Sequence, residues 1–407
     1  MVVSRYVVPI GIPSLSSTLT NALNALRLPL SSYRFCMRFL QLRATPGVTG
    51  SVRDLPRRPG VDYSMMIPAD DPRTQRLQRG RRAVAALLLT AGILSFGYVG
   101  VSSYVAEQLV YATPIPIDKT PASLGLRFAY VTFPSRQDHL MLRGWFIPGV
   151  LPNGGLTADR AIVVVHGTRT NRESKGDHQL QLTGELARHG LAVLAFDMRG
   201  AGESTPAPLS MGTLEQRDVL GAVDFLRSGP IPIPELGRPK VIGGLGISMG
   251  AATLLMAAAR EPAIQAVVSD SAYAEVVPLL EREVPKRTVP VIGHVPAGFV
   301  PAALVMSQVL YGADFFAARP VDSIANIAPR PLFLIHGLAD DYVPISNFQR
   351  LNAAATTPSA AHVTTWLVPK ARHAQAFKVT GAEYVTRVVG FFDASLGADR
   401  SQPGAAA

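Results

Sequence analysis

The stretch Val241-Ile242-Gly243-Gly244-Leu245-Gly246-Ile247-Ser248-Met249-Gly250 decides how this chain is read, together with the run Ala251 to Arg260 that follows it. An apolar run ends in G-x-S-x-G, and a helix-compatible, alanine-rich segment begins at once. Strand, G-x-S-x-G, helix is the context of a nucleophile elbow, a tight turn that lifts the serine hydroxyl above the edge of a sheet. Side chains two residues either side of Ser248 would meet the neighbouring strand and helix, which accounts for Gly246 and Gly250. The amide of Met249 then belongs to the first helical turn, where N–H groups lack partners and favour developing negative charge. The motif is short and glycine and serine are common here, so its surroundings must support it.

Working outward, short apolar runs alternate with helical patterns. Ile162–Val165, Leu191–Phe196, Val241–Ile247, Ala266–Val268, Leu332–Ile335 and Thr364–Val368 read as strands. Leu126–Phe133 and His139–Ile147 precede them as a hairpin turning at Pro134–Asp138. Leu180–His189 and Thr213–Ser228 carry helix formers at helical spacing. This alternation predicts an α/β fold: a mostly parallel central sheet with helices on both faces and ligands outside the carboxyl ends of its strands. Between Tyr273 and Pro331 lies far more chain than a crossover needs, and its apolar Pro290–Gly312 portion fits either a lid over the site or a longer crossover helix.

Each reactive side chain ends a strand: His166, Asp197, Ser248, Asp270, Asp340 and His373. The order Ser248, Asp340, His373 resembles the triad order of the α/β-hydrolase superfamily. Four further motifs carry the likeness: His166-Gly167, the D-x-R-G-x-G-x-S run from Asp197 to Ser204, His336-Gly337-Leu338-Ala339-Asp340-Asp341-Tyr342-Val343-Pro344, and Arg372-His373-Ala374. Over roughly residues 120–397 the chain is similar to the serine-aminopeptidase-like, Bem46-like and dienelactone-hydrolase-like esterase branch.

The chemistry asks for these residue types. A serine hydroxyl is a poor nucleophile until an imidazole removes its proton, and a carboxylate must hold that imidazole in the right tautomer. Ser248, His373 and Asp340 fill these roles, with Asp270 and Asp341 as alternative acids. The oxyanion needs two backbone donors; Met249 offers one, and the resemblance implies Thr168 as the other. His166, His336 and Arg199 read as structural braces, whereas Arg169 and Arg172 are loop arginines able to meet an anionic substrate. The expected activity is hydrolysis of a small-molecule carboxylic ester through an acyl-enzyme. A thioester hydrolase, an aminopeptidase using Glu281 or Glu283 for the substrate's amino group, and a non-catalytic binding module are the alternatives. No H-E-x-x-H spacing and no dinucleotide fingerprint occurs, so neither a metal nor a cofactor is expected.

Charge placement bears on partners. The chain of 407 residues carries a net charge of +10. Residues 1–82 hold 13 Arg, no Lys and four Asp, leaving 26 basic and 25 acidic residues in the remainder. The folded part is nearly neutral, which argues against a nucleic-acid partner. The one cysteine, Cys36, lies in the arginine-rich leader, so no disulfide is expected beyond it. Ala83 to Ala106 is 24 residues without a charge, flanked by Arg79, Arg81 and Arg82 on one side and Glu107 on the other. It exceeds the ~20 residues a membrane-crossing helix needs. The positive-inside rule then puts the N-terminus in the cytoplasm and the catalytic domain outside. The expected organisation is a disordered region over 1–82, with Met65 or Met66 as an alternative true start, and a transmembrane anchor over 83–106. A stiff linker at Thr113–Pro116, a catalytic domain over 113–397 with an insertion at 274–330, and a disordered tail over 398–407 follow.

Overall fold

The computed structural model describes residues 72–357 and 361–397. The expectations for residues 1–71, including Cys36 and a start at Met65 or Met66, and for the tail 398–407 lie outside the described residues. The chain divides into two compact units, up to Ile93 and from Leu94 onward.

An eight-stranded sheet forms the centre of the second unit. Its strands are β1 (Ala129–Pro134), β2 (Met141–Ile147), β3 (Arg160–Val165), β4 (Ala192–Phe196), β5 (Val241–Ile247), β6 (Ile264–Asp270), β7 (Leu332–Gly337) and β8 (Val363–Val368). They lie in the order β1-β2-β4-β3-β5-β6-β7-β8. The pairs β1–β2 and β2–β4 are antiparallel and the other five are parallel, so the sheet is mostly parallel, as expected. The first crossover runs backward from β3 to β4 and the next jumps across β3 to β5, making β3 the point where strand order reverses.

The β-branched runs form buried strands because both sheet faces are covered. On β3, Ala161, Val163 and Val165 enter one core while Ile162 and Val164 enter the other; Leu332 and Leu334 oppose Phe333 and Ile335 on β7 in the same way. This period-2 division gives parallel strands their continuous apolar sequence. At two positions of β5 the space is too small for a side chain. A Cβ on Gly243 would lie 2.9 Å from Phe392, and one on Gly244 2.7 Å from Leu254, on helices packed against opposite faces.

The helices are α1 (Pro72–Val110), α2 (Gln179–Arg188), α3 (Gln216–Ser228), α4 (Met249–Ala258), α5 (Val276–Glu283), α6 (Val300–Tyr311), α7 (Ile345–Ala355), α8 (Ala376–Thr380) and α9 (Ala382–Leu396). Helix α1 holds an apolar stretch, Gln75–Val110, long enough to cross a membrane, with none of its most apolar window buried in the protein. It begins at Pro72, so residues 72–82 are helical where disorder was expected, and it runs past the anticipated end at Ala106. Ser102, Val105, Ala106 and Val110, at helical spacing, are fully buried against the catalytic body. The following segment is tied down as well: Leu209 N donates to Val110 O at 2.7 Å and Asn171 Nδ2 to Ile115 O at 2.9 Å. The stiff linker read at Thr113–Pro116 is therefore anchored to the domain surface.

The insertion between β6 and β7 contains α5, a two-residue ribbon (Thr288–Val289 with Gly293–His294) and α6. It packs on the end of α1, where Tyr98 Oη donates to Gly298 O at 2.7 Å and Tyr104 Oη to Pro290 O at 2.8 Å.

Candidate active site

Ser248 sits between β5 and α4 with φ 55° and ψ −120°, a conformation rare for a residue with a side chain. The surrounding backbone holds it there. A Cβ on Gly246 would lie 2.5 Å from Gly250 O, and one on Gly250 would overlap the carbonyl oxygens of Val165 and His166. Ser248 N donates to Asp270 O at 2.8 Å, extending the sheet ladder into the turn.

Ser248 Oγ lies 2.8 Å from His373 Nε2. On the other side of the ring His373 Nδ1 lies 2.8 Å from Asp340 Oδ2. A carboxylate accepts only, so Nδ1 carries the proton and Nε2 is free to accept from the serine. The Asp340 side chain is fully buried, and its second oxygen accepts the amides of Tyr342 at 3.0 Å and Val343 at 2.8 Å. The Asp340 and His373 loops are sewn together by Leu338 N to Val368 O and Ala339 N to Ala371 O, each 2.9 Å. A side chain at Gly337 would overlap Ala371 O, which explains the glycine in that H-G pair.

The alternative acids stand elsewhere. Asp341 is exposed and pairs with Arg372 at 2.8 Å, which holds its carboxyl below the ordinary range. Asp270 accepts from Ser271 Oγ at 2.9 Å and Tyr384 Oη at 3.0 Å; burial pushes its pKa up to about 6.

The turn at His166-Gly167-Thr168 lies against the serine, with the Gly167 Cβ position 3.6 Å from Ser248 Cβ. Among the described residues neither the Thr168 nor the Met249 amide donates to another protein group. His166 is buried and accepts from Met198 N at 3.0 Å, with its other nitrogen 2.7 Å from Gly167 O. Burial depresses its pKa, and the neutral ring braces the turn. His336 likewise donates to Val343 O at 2.9 Å and is kept neutral chiefly by burial.

Arg172 is neither the solvated loop arginine expected nor one open to an anionic substrate. It is buried, pairs with Asp197 and Glu203, and lies 4.5 Å over the Trp145 ring. Asp197 in turn takes the amides of Arg172 at 2.7 Å and Glu203 at 2.9 Å. Arg199 is also buried, held by Asp218 at 2.7 Å and by Asp138. The D-x-R-G-x-G-x-S run is thus a braced loop. Glu283, a possible amine binder, is occupied by Arg282 and Lys286.

Three residues near the site were not singled out from sequence. The Tyr342 ring lies 4.9 Å from the His373 ring. Arg287 of the insertion reaches the Tyr342 hydroxyl at 3.4 Å. Asp177 accepts from Ser174 Oγ at 2.8 Å, its carboxyl 3.9 Å from where a Gly167 Cβ would stand, and burial raises its pKa. Tyr342 stood within a quoted motif; nothing in the local sequence marks the other two. Among the described residues no group of three or more His, Cys, Asp or Glu side chains is arranged to hold a metal ion.

Comparison with known proteins accords with this architecture. The model of the alpha/beta hydrolase family matches residues 162–402, and the chain belongs to that family. It is similar to the uncharacterized protein YfhR of Salmonella typhi, with 25% identity over 331 residues, covering 79% of this chain and 99% of that protein. An uncharacterized protein of Mycobacterium tuberculosis, Rv2307c, is 26% identical over 283 residues, covering 68% of this chain and 84% of its own length. Among solved structures, the Pyrococcus furiosus esterase Pf2001 superposes with a TM-score of 0.55 at 23% identity, covering 71% of this chain and 99% of that one.

Proposed function

We propose that this protein is a serine hydrolase that cleaves a carboxylic ester through an acyl-enzyme. Ser248 attacks the ester carbonyl as His373 Nε2 takes its proton. Asp340 stabilises the resulting imidazolium, and the amides of Met249 and Thr168 bind the oxyanion. The protonated His373 then passes its proton to the leaving alcohol, and water repeats the sequence on the acyl-serine. The observation that carries the reading is the unbroken chain Ser248 Oγ, His373, Asp340 at 2.8 Å per link, beginning on a serine with positive φ. Family membership supports hydrolysis, and the Pyrococcus protein's description as an esterase favours esters. The pairing of Glu283 with Arg282 and Lys286 occupies one of the two acids named for an aminopeptidase, which weakens that reading.

The same reading takes α1 as a membrane anchor, with its arginine-flanked end in the cytoplasm and the hydrolase outside. A reporter fused to the C-terminus is then active only on the outer side. For the chemistry, the full chain in detergent is treated with a fluorophosphonate probe. Wild type is labelled and Ser248→Ala is not; a folded wild type that stays unlabelled overturns the hydrolase.

A further inference from the structure

Most guanidinium groups around the mouth of the site are already committed. On the insertion, Arg282 and Arg319 pair with carboxylates. On the loops, Arg372 pairs with Asp341 and Arg172 is locked in the core. Two depart from this pattern. The Arg169 side chain donates to Gln108 O at 2.6 Å, and that of Arg287 reaches only the Tyr342 hydroxyl at 3.4 Å. Among the described residues neither meets a carboxylate.

Both arginines line one cavity of about 110 Å3, whose walls include Val105, Leu109, Val289 and Pro290. Apolar walls make the field of each charge longer-ranged and the absence of a counter-ion more costly. Arg169 is exposed at the rim of this cavity, and its partial desolvation there, with repulsion from Arg287 second, lowers its guanidinium pKa. Arg169 also occupies the left-handed region at φ 54°, uncommon for so long a side chain. Each of the two arginines is one step removed from the reacting centre. Arg169 follows Thr168 directly, and Arg287 reaches the tyrosine whose ring stands 4.9 Å from His373.

We propose that Arg169 and Arg287 form a binding site for an anionic group of the substrate, a carboxylate or phosphate set a short chain away from the ester attacked by Ser248. Two guanidiniums from separate elements clamp such a group with charge-assisted hydrogen bonds, and the apolar walls receive the chain that carries it. This assignment rests on the hydrolase reading and names its substrate class: esters bearing a negative charge, whether soluble hemiesters or lipids with an anionic headgroup.

The test compares p-nitrophenyl hemiglutarate with p-nitrophenyl valerate, which differ chiefly in the terminal carboxylate, on the full chain in neutral detergent. Wild type favours the hemiester at least tenfold in kcat/KM, mainly through KM. In Arg169→Gln/Arg287→Gln the ratio falls to near one, and Arg287→Glu turns the preference toward a cationic choline-type ester. A wild-type ratio near one, or a ratio that survives in the double variant, overturns the site. Titration of the hemiester against Ser248→Ala by calorimetry reads binding without turnover, so failure of the hydrolase and failure of the anion site are told apart. Binding at least tenfold tighter than valerate, lost in the added double variant, supports the site; equal binding removes it. Inhibition of hemiester cleavage by phosphatidylglycerol but not phosphatidylcholine vesicles assigns the anion to a headgroup, and equal indifference to both assigns it to a soluble ester.

Discussion

Asp340 Oδ2 lies 2.8 Å from His373 Nδ1, while Asp341, the next residue, turns outward to Arg372 at the same distance. Two adjacent carboxylates therefore have separate work. Asp340→Asn keeps the shape but offers an amide that reverses the tautomer, and kcat falls by roughly 10^4. Asp341→Asn breaks an exposed ion pair worth little and leaves kcat within a few-fold of wild type. Steady-state rates on one activated ester, with both variants side by side, check this; equal losses would show the acid misassigned.

The elbow makes a second prediction. Because a Cβ at Gly250 would overlap two main-chain carbonyls, Gly250→Ala has to push α4 away from β3. Backbone does not yield as a side chain does, and the loss is about 3 kcal/mol or more. The Met249 amide moves with the helix, so fluorophosphonate labelling slows by roughly 10^2 in whatever fraction stays folded. Thermal melts in detergent with labelling rates at low temperature read both effects; a melt within 2 °C of wild type would contradict the crowding.

Much of this architecture was legible because it is written in short-range patterns. Apolar runs bounded by turns, Gly246 and Gly250 around Ser248, and reactive residues at strand ends need no knowledge of tertiary contacts. What escaped depends on partners distant in sequence. Arg172 looks like any loop arginine until Asp197, 25 positions on, and Trp145 close around it. The uncharged run ending at Ala106 says nothing of the Val110 carbonyl that receives Leu209 N, so the end of α1 read as a free anchor and its successor as a linker. Tyr342 and Arg287 approach the site from elements joined only by the fold.

Arg172 yields the third prediction, since its burial separates it from Arg169. Arg172→Met removes one member of a buried ion pair and strands the Asp197 carboxylate inside, at about 3–5 kcal/mol. Its effect lies in stability alone: the folded fraction keeps the wild-type KM for charged and neutral esters alike. Denaturant midpoints and KM on the same preparations check it, and a KM change confined to anionic esters would move Arg172 into the binding site.

Asp270 supplies a pH dependence with a definite sign. Its pKa rises from an ordinary 3.8 to about 6, through burial opposed by bonds from Ser271 and Tyr384. The folded protein therefore holds a proton on this carboxyl across a window in which the unfolded chain has released it. Stability from this group is greatest below pH 4, falls as pH rises, and levels off above about pH 6. The total swing is on the order of 3 kcal/mol. Asp270→Asn cannot titrate, so the stability difference, variant minus wild type, climbs by that amount from pH 4 to pH 7. The variant's lost hydrogen bonds shift the whole curve without bending it. Unfolding midpoints of the two proteins at four pH values measure the slope, and a difference constant across the range would mean that Asp270 is already ionised at pH 4 in the folded state.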